Sequence, residues 1–190
     1  MATHSVDPVP AHTGPWTEKD LLALPRDGQR HELVEGSLIV SPPPAGRHQG
    51  AASRLLRRLA AEAPPSFEVV EALGVRMPGG SMLVPDLLVV DAEPLWTNQS
   101  GILDASAVHL VVEIVSPGSV TMDRLAKPVL YAKAGIPAFW QVELERGPTV
   151  SAYRLGEGSH ALEGSAHSGE LLTVAWPFSM TLDPADLQSH

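Results

Sequence analysis

Two carboxylates interrupt the two most apolar stretches of the chain. Asp86 lies within Met82–Val90 and Glu113 lies within Val108–Val115, where most neighbours are aliphatic. Carboxylates are seldom buried unless they are paired or bind a metal. If these stretches form neighbouring strands, the two acids would repel each other unless a cation lay between them, and Mg²⁺ and Mn²⁺ favour such oxygen ligands. Alternatively, each acid lies at a strand end, in solvent or bonded to an arginine.

The helices that must position these acids are predicted from capping residues and from apolar residues at helical spacing. The predicted helices run from Thr17 to about Leu24, from about His48 to Ala63 and from about Val120 to Ala134. Gly135 is well placed to cap the last helix at its C-terminus. Pro128 lies inside that helix, so either the helix is kinked there or Pro128 occupies its first turn.

Strands are predicted where short apolar runs end in turn residues. They are a hairpin of Arg30–Val34 and Leu38–Ser41, then Phe67–Leu73, Val75–Met77, Met82–Val90, Val108–Val115, Phe139–Leu144 and Thr149–Leu155, with edge strands and a short final helical turn beyond. Residues 91–106 are predicted to form a loop. This order of elements predicts an α/β or α+β fold with a mixed sheet, in which Val108–Val115 is the central strand.

An ordered set of motifs resembles a known family. Pro85-Asp86, followed by Glu113-Ile114-Val115 on an apolar strand, resembles the PD-(D/E)XK nuclease pattern. From about Trp16 to Leu187, the chain resembles the bacterial family of putative restriction endonuclease domain proteins within that superfamily. The other matching motifs are Arg30-His31-Glu32-Leu33-Val34-Glu35-Gly36, Pro42-Pro43-Pro44 with His48, Val84-Pro85-Asp86-Leu87, Val112-Glu113-Ile114-Val115-Ser116-Pro117, Asp123, Lys127, Tyr131, Ala134-Gly135-Ile136-Pro137 and Phe139-Trp140.

The resemblance implies one nuclease-like domain over residues 16–187. Its α/β fold would be a restriction-endonuclease-like mixed β-sheet core flanked by helices, with an extra N-terminal hairpin and C-terminal strands. The superfamily pattern places a lysine two residues after the acid, where this chain has Val115. The resemblance offers Lys127, on the following helix, as a substitute that would stabilise charge developing on the phosphate. Alternatively, Lys127 is exposed and paired with Asp123.

The remaining candidates each have a functional and a structural interpretation. The resemblance makes Glu32 a third metal ligand, whereas it could otherwise be a surface acid of the hairpin. His48 opens a helix, where it could meet a phosphate, carry a proton or serve a structural role. Ser116 could donate a hydrogen bond to a site carboxylate or simply end the strand. Tyr131 lies one helical turn after Lys127, so it would line the cleft or its wall, or pack in the core.

Composition sets limits on the class of protein. The chain has 190 residues and no cysteine, which fits one domain and indicates a reducing, cytoplasmic location. No apolar run has the length of a membrane helix, and residues 1–15 are predicted to be disordered. The net charge of −9 counts against generalised nucleic-acid binding. However, residues 141–190 account for −5 and residues 1–18 for −2, which leaves only −2 for residues 19–140.

These observations lead to a hypothesis and two rivals. The hypothesis is an endonuclease that hydrolyses DNA phosphodiester bonds with Mg²⁺ or Mn²⁺ held by Asp86 and Glu113, with Glu32 as a further ligand. A homodimer would suit an enzyme that cuts two strands, although nothing in the sequence requires one. The first rival is a catalytically inactive nuclease-fold protein for binding or assembly, favoured by Val115 and by the acidic charge. The second is a two-carboxylate glycosidase, which the aromatic content of 5% disfavours.

Overall fold

The structure, a computed structural model, describes residues 11–25, 27–98, 100–118 and 120–188. Within them the α-helices are α1 (Glu18–Leu22), α2 (Gly46–Glu62), α3 (Ala92–Thr97) and α4 (Lys127–Lys133). The strands are β1 (Arg30–Val34), β2 (Ser37–Ser41), β3 (Phe67–Glu71), β4 (Gly74–Arg76), β5 (Met82–Leu83), β6 (Leu87–Asp91), β7 (Ile102–Asp104), β8 (Val108–Ile114), β9 (Ala138–Glu143), β10 (Thr149–Gly156), β11 (Ser159–His167), β12 (Leu172–Val174) and β13 (Met180–Leu182).

A six-stranded mixed sheet forms the centre of the domain. Its strand order is β11-β10-β9-β8-β6-β3, with β6 antiparallel to β8 and β8 parallel to β9. The predicted adjacency of the two acid-bearing stretches is therefore confirmed, as is the interior position of Val108–Ile114. Aliphatic residues fill both faces of β6 and β8 because helices and a second sheet cover both sides.

A second, five-stranded sheet takes up part of the stretch Met82–Val90. Its strand order is β2-β1-β5-β4-β7, so Met82–Leu83 pairs with the hairpin, whereas Leu87–Asp91 belongs to the central sheet. The prediction of one continuous strand over Met82–Val90 was wrong. Pro85 has no N–H to donate to a ladder, and the chain passes from one sheet to the other over Val84-Pro85-Asp86. Asp86 therefore lies at the crossing point rather than inside a strand.

The helices pack on opposite faces of the central sheet. The apolar face of α2, with Ala51, Leu55 and Leu59 buried, packs against one face, as its helical spacing predicted. Tyr131 of α4 packs on the other face, together with side chains of the second sheet. The capping box of α1 at Thr17 is also present. The site described below lies where α2, α4 and the two sheets meet.

Residues 91–106 do not form the predicted loop. They contain α3, β7 and a 3₁₀ turn at Ala105–Ala107. These elements are too short to show a clear period in the sequence. In addition, β7 exists because it pairs in parallel with β4, a partner distant along the chain. The pairing supplies backbone hydrogen bonds that local propensity does not encode.

The helix predicted over Val120–Ala134 contains a π-helical segment at Met122–Ala126. There the N–H of Lys127 donates to the carbonyl of Met122, five residues earlier. Pro128 then occupies the first turn of α4, where its missing N–H costs no hydrogen bond. Gly135 has φ +78° and follows the end of the helix, as predicted. Asp123 and Lys127 are four residues apart and both buried, and Lys127 Nζ lies 3.6 Å from Asp123 Oδ1.

The predicted disordered segment 1–15 falls largely outside the described residues. Residues 11–15 contain no helix or strand, and the N–H of Trp16 donates to the carbonyl of Gly36 in the hairpin turn at 2.8 Å. Among the described residues, every helix is too short or too polar to span a bilayer.

Candidate active-site cleft

A cleft of about 390 Å³ opens between the hairpin, α2, the end of β8 and the π-helical segment. We call it the acidic cleft. Seven of the eight residues singled out in the sequence line it: Glu32, His48, Asp86, Glu113, Ser116, Asp123 and Lys127. The eighth, Tyr131, is fully buried beneath it. Residues from five separate parts of the chain therefore converge on one site.

Groups from three elements hold the carboxylate of Asp86 in the wall of this cleft. Its Oδ2 accepts a hydrogen bond from the backbone N–H of Ile114 at 2.7 Å and lies 3.1 Å from His48 Nε2. Its Oδ1 lies 2.7 Å from Nη2 of Arg30. Burial acts to raise the pKa of Asp86, but the His48 hydrogen bond and the Arg30 charge outweigh it and hold that pKa below its usual value. Asp86 is therefore ionised at neutral pH.

A second group of charges is centred on the ammonium of Lys127. Lys127 Nζ lies 3.1 Å from Glu113 Oε1, 3.1 Å from Glu32 Oε1 and 3.6 Å from Asp123 Oδ1. The Glu32 oxygen also accepts a hydrogen bond from the N–H of Val84 at 2.8 Å, at the crossing between the sheets. Lys127 is only 3% exposed, so the alternative of a solvent-exposed lysine is excluded. Its pairing with Asp123 is one of three such contacts.

Burial has the largest effect on the protonation of this second group. Burial raises the pKa of Glu113 to about 8. The charge of Lys127 acts to lower that pKa, whereas repulsion from Asp86, Glu32 and Asp123 acts to raise it. The buried hydroxyl of Tyr131 donates a hydrogen bond to Glu113 Oε1. Burial alone would lower the pKa of Lys127, but its carboxylate partners raise that pKa above its usual value. Lys127 therefore keeps its charge throughout the physiological range.

The donor chemistry of the cleft fits a divalent cation. Four buried carboxylates, from Glu32, Asp86, Glu113 and Asp123, supply the hard oxygen ligands that Mg²⁺ and Mn²⁺ prefer. Asp86 Oδ1 meets Arg30 as an ion pair and accepts no well-directed hydrogen bond, which leaves it with ligand capacity. Within the described residues, no three such side chains form a ready-made ligand cluster. The ammonium of Lys127 lies 3.1 Å from a carboxylate oxygen of both Glu32 and Glu113.

The sequence did not assign a role to Arg30, although it belongs to one of the quoted motifs. Its guanidinium is 20% exposed and contacts Asp86 across the cleft. The sequence could have identified Arg30, because alternate residues of a strand share a face, and Arg30 therefore projects from the same face of β1 as Glu32. Of the two positions expected for Tyr131, the structure shows the second, because it packs in the core and reaches Glu113 from the protein interior.

Taken together, the mixed sheet, its flanking helices and the acids at the ends of its inner strands define an α/β domain of the restriction-endonuclease-like class. The chain belongs to the Uma2 family, described as putative restriction endonucleases, whose family model matches residues 18–185. The fold is also similar to the crystal structure of a putative nuclease belonging to DUF820 from Anabaena variabilis, with a TM-score of 0.72 and 23% identity over 91% of this chain and 97% of that one. No curated protein matches the chain.

Proposed function

We propose that this protein is a metal-dependent endonuclease that hydrolyses phosphodiester bonds in DNA. The observation that carries the proposal is the convergence of Asp86, Glu113 and Lys127 in one cleft, at the ends of paired inner strands. Membership of a family described as restriction endonucleases supports DNA as the substrate. Metal-assisted phosphodiester hydrolysis uses acidic ligands for a cation and benefits from a separate positive charge at the phosphate, and the cleft contains both.

The residues take distinct roles in this proposal. Asp86 and Glu113 would hold Mg²⁺ or Mn²⁺, with Glu32 as a further ligand. A bound cation would lower the pKa of a water molecule and offset the charge of the reacting phosphate. Lys127 would supply the positive charge that Val115 does not provide. His48 and the backbone N–H of Ile114 keep the Asp86 carboxylate ionised and fixed in orientation.

Cleavage of a supercoiled plasmid with Mg²⁺ or Mn²⁺ tests the proposal. The wild type should produce nicked and linear forms, and Asp86→Ala should not. Glu163→Ala is a matched control, because Glu163 is an exposed acid on β11 that does not line the cleft. The control should cut like the wild type. Equal activity in Asp86→Ala would contradict the assignment of cleavage to this cleft.

The inactive rival makes a different prediction for the same samples. Lys127 pairs with Glu32 and Glu113, and Arg30 pairs with Asp86, so these carboxylates already have cationic partners without an added metal ion. Calorimetric titration with Mg²⁺ separates the two possibilities. Binding of Mg²⁺ that needs Asp86, without cleavage of any DNA form, would support a nuclease-fold binding or assembly protein.

A further inference from the structure

A second and larger cavity, of about 670 Å³, adjoins the acidic cleft. We call it the side cavity. The two share five lining residues, Arg30, Pro43, Pro44, His48 and Asp86, so they meet at the Arg30–Asp86 ion pair. Its volume lies within the range of small-molecule binding sites. A substrate with its phosphate in the acidic cleft would therefore have its neighbouring atoms at the mouth of the side cavity.

The remaining wall of the side cavity carries four neutral polar side chains. Gln29, His31, Gln49 and Ser53 bring hydrogen-bonding side chains from the start of the hairpin and from one face of α2. Pro43 and Pro44, which also line the acidic cleft, add the apolar surface of their rings to the side cavity. Such a combination suits a nucleoside, whose base offers edges for hydrogen bonds and a face for stacking on a ring such as that of His31.

The charges disfavour a double helix in this place. Among the described residues that line it, Arg30 is the one arginine or lysine, and Asp86 and Glu71 are both acidic. The whole chain carries −9. Binding of duplex DNA depends on many lysine and arginine contacts to phosphates. A wall with one paired arginine supplies little of that attraction, so recognition inside the side cavity depends on contacts to a base and sugar.

We propose that the side cavity binds one unpaired nucleotide next to the reacting phosphate, so that the substrate is single-stranded or locally unpaired DNA. The proposal rests on the function proposed above and narrows its substrate class. A paired base would have to leave its stack before entering, which costs free energy that a single strand does not spend. Ala72, which has φ +53°, also lines the side cavity. Its backbone N–H donates a hydrogen bond to the carbonyl of Asp86.

Binding measured without divalent metal tests this inference separately from cleavage. The probe is a short fluorescein-labelled oligothymidylate in EDTA, followed by fluorescence anisotropy, with a labelled duplex as comparison. Gln49→Trp fills the side cavity from an exposed position on α2, so the fold should tolerate it. Ser53→Trp fills the cavity from a half-buried position one turn later. Ala61→Trp adds the same ring to an exposed site of α2 outside the lining and is the matched control.

The oligothymidylate should bind more tightly than the duplex. Gln49→Trp should weaken its binding about tenfold, a loss comparable to that of one stacked base, while Ala61→Trp should not. Equal binding of single strand and duplex, or unchanged binding in Gln49→Trp, would overturn the inference. Plasmid cleavage by the wild type would still support the endonuclease in that case. Conversely, single-strand binding that depends on the side cavity, without any cleavage, would support the cavity and contradict the hydrolytic function.

Discussion

Lys127 Nζ lies 3.1 Å from Glu113 Oε1, although the lysine is on the helix and the acid is on the central strand. The strand has Val115 where the superfamily pattern has lysine. The helix that follows brings the Lys127 ammonium to the same carboxylate, from the point where the π-helical segment meets α4. The positive charge of the site thus comes from a different element than in the superfamily pattern, which makes Lys127 the first residue to test.

Replacement of Lys127 by methionine keeps the aliphatic stem and removes the charge. Turnover in plasmid nicking should fall about 100-fold or more, the scale of a lost electrostatic contact to a transition state. The same change leaves Glu32 and Glu113 without their shared cation, so the free energy of unfolding should fall by about 3 kcal/mol in EDTA. Lys133→Met, on the exposed side of the same helix, is the control and should change neither value. Full activity in Lys127→Met would refute the role of Lys127.

Tyr131 supports the site from beneath. Its buried hydroxyl donates a hydrogen bond to Glu113, so Tyr131→Phe removes one donor from a buried acid. We expect a loss of about 2 kcal/mol in the free energy of unfolding, measured by urea denaturation. Tyr153→Phe removes a hydroxyl from a half-buried ring that stacks on Phe139 instead. If both variants lose the same stability, the contact to Glu113 contributes nothing specific.

The raised pKa of Glu113 makes stability depend on pH. Burial holds that pKa near 8 in the folded state, above the ordinary value of 4.5, so the folded protein binds more protons than the unfolded chain between these values. The contribution of Glu113 to stability is therefore full below about pH 4.5 and is lost as the pH rises through about 8. Thermal unfolding in EDTA should show Glu113→Gln gaining stability relative to wild type as the pH rises from about 5 to 8.

Because other groups also titrate in that window, the pH dependence of the stability difference between each variant and the wild type is compared, rather than the wild-type profile alone. Glu163→Gln changes an exposed acid on β11 and should follow the wild-type pH profile. A constant difference between Glu113→Gln and wild type across the window would contradict a folded-state pKa near 8 for Glu113.

Metal binding should appear as added stability. Mg²⁺ at about 100 times its dissociation constant should raise the free energy of unfolding by about 2.7 kcal/mol. Asp86→Asn keeps the shape of the side chain but weakens its oxygen as a cation ligand, so this gain should be small or absent. Differential scanning calorimetry with and without EDTA measures both. An equal gain in wild type and Asp86→Asn would place the cation elsewhere.

The sequence predicted the elements whose signals are local. The hairpin follows from Glu35-Gly36, which adopt φ +47° and φ +82° as its turn requires, and α2 follows from its helical spacing. The crossing at Val84-Pro85-Asp86 was not predicted, because it depends on which distant strand each half of the stretch pairs with. Arg30 was missed as a site residue for the same reason, since it reaches Asp86 through the pairing of β1 with β5.

The hydrogen bond from the Ile114 N–H to Asp86 has a spectroscopic consequence. This amide lies at the end of β8 and donates its hydrogen bond to Asp86, a residue of the proposed site. Its hydrogen-exchange rate and its ¹⁵N chemical shift therefore report directly on the position of the Asp86 carboxylate. Adding Mg²⁺ or a short oligonucleotide should shift this resonance before any bond is cut, so that occupancy of the site can be followed by NMR in a variant too slow to turn over.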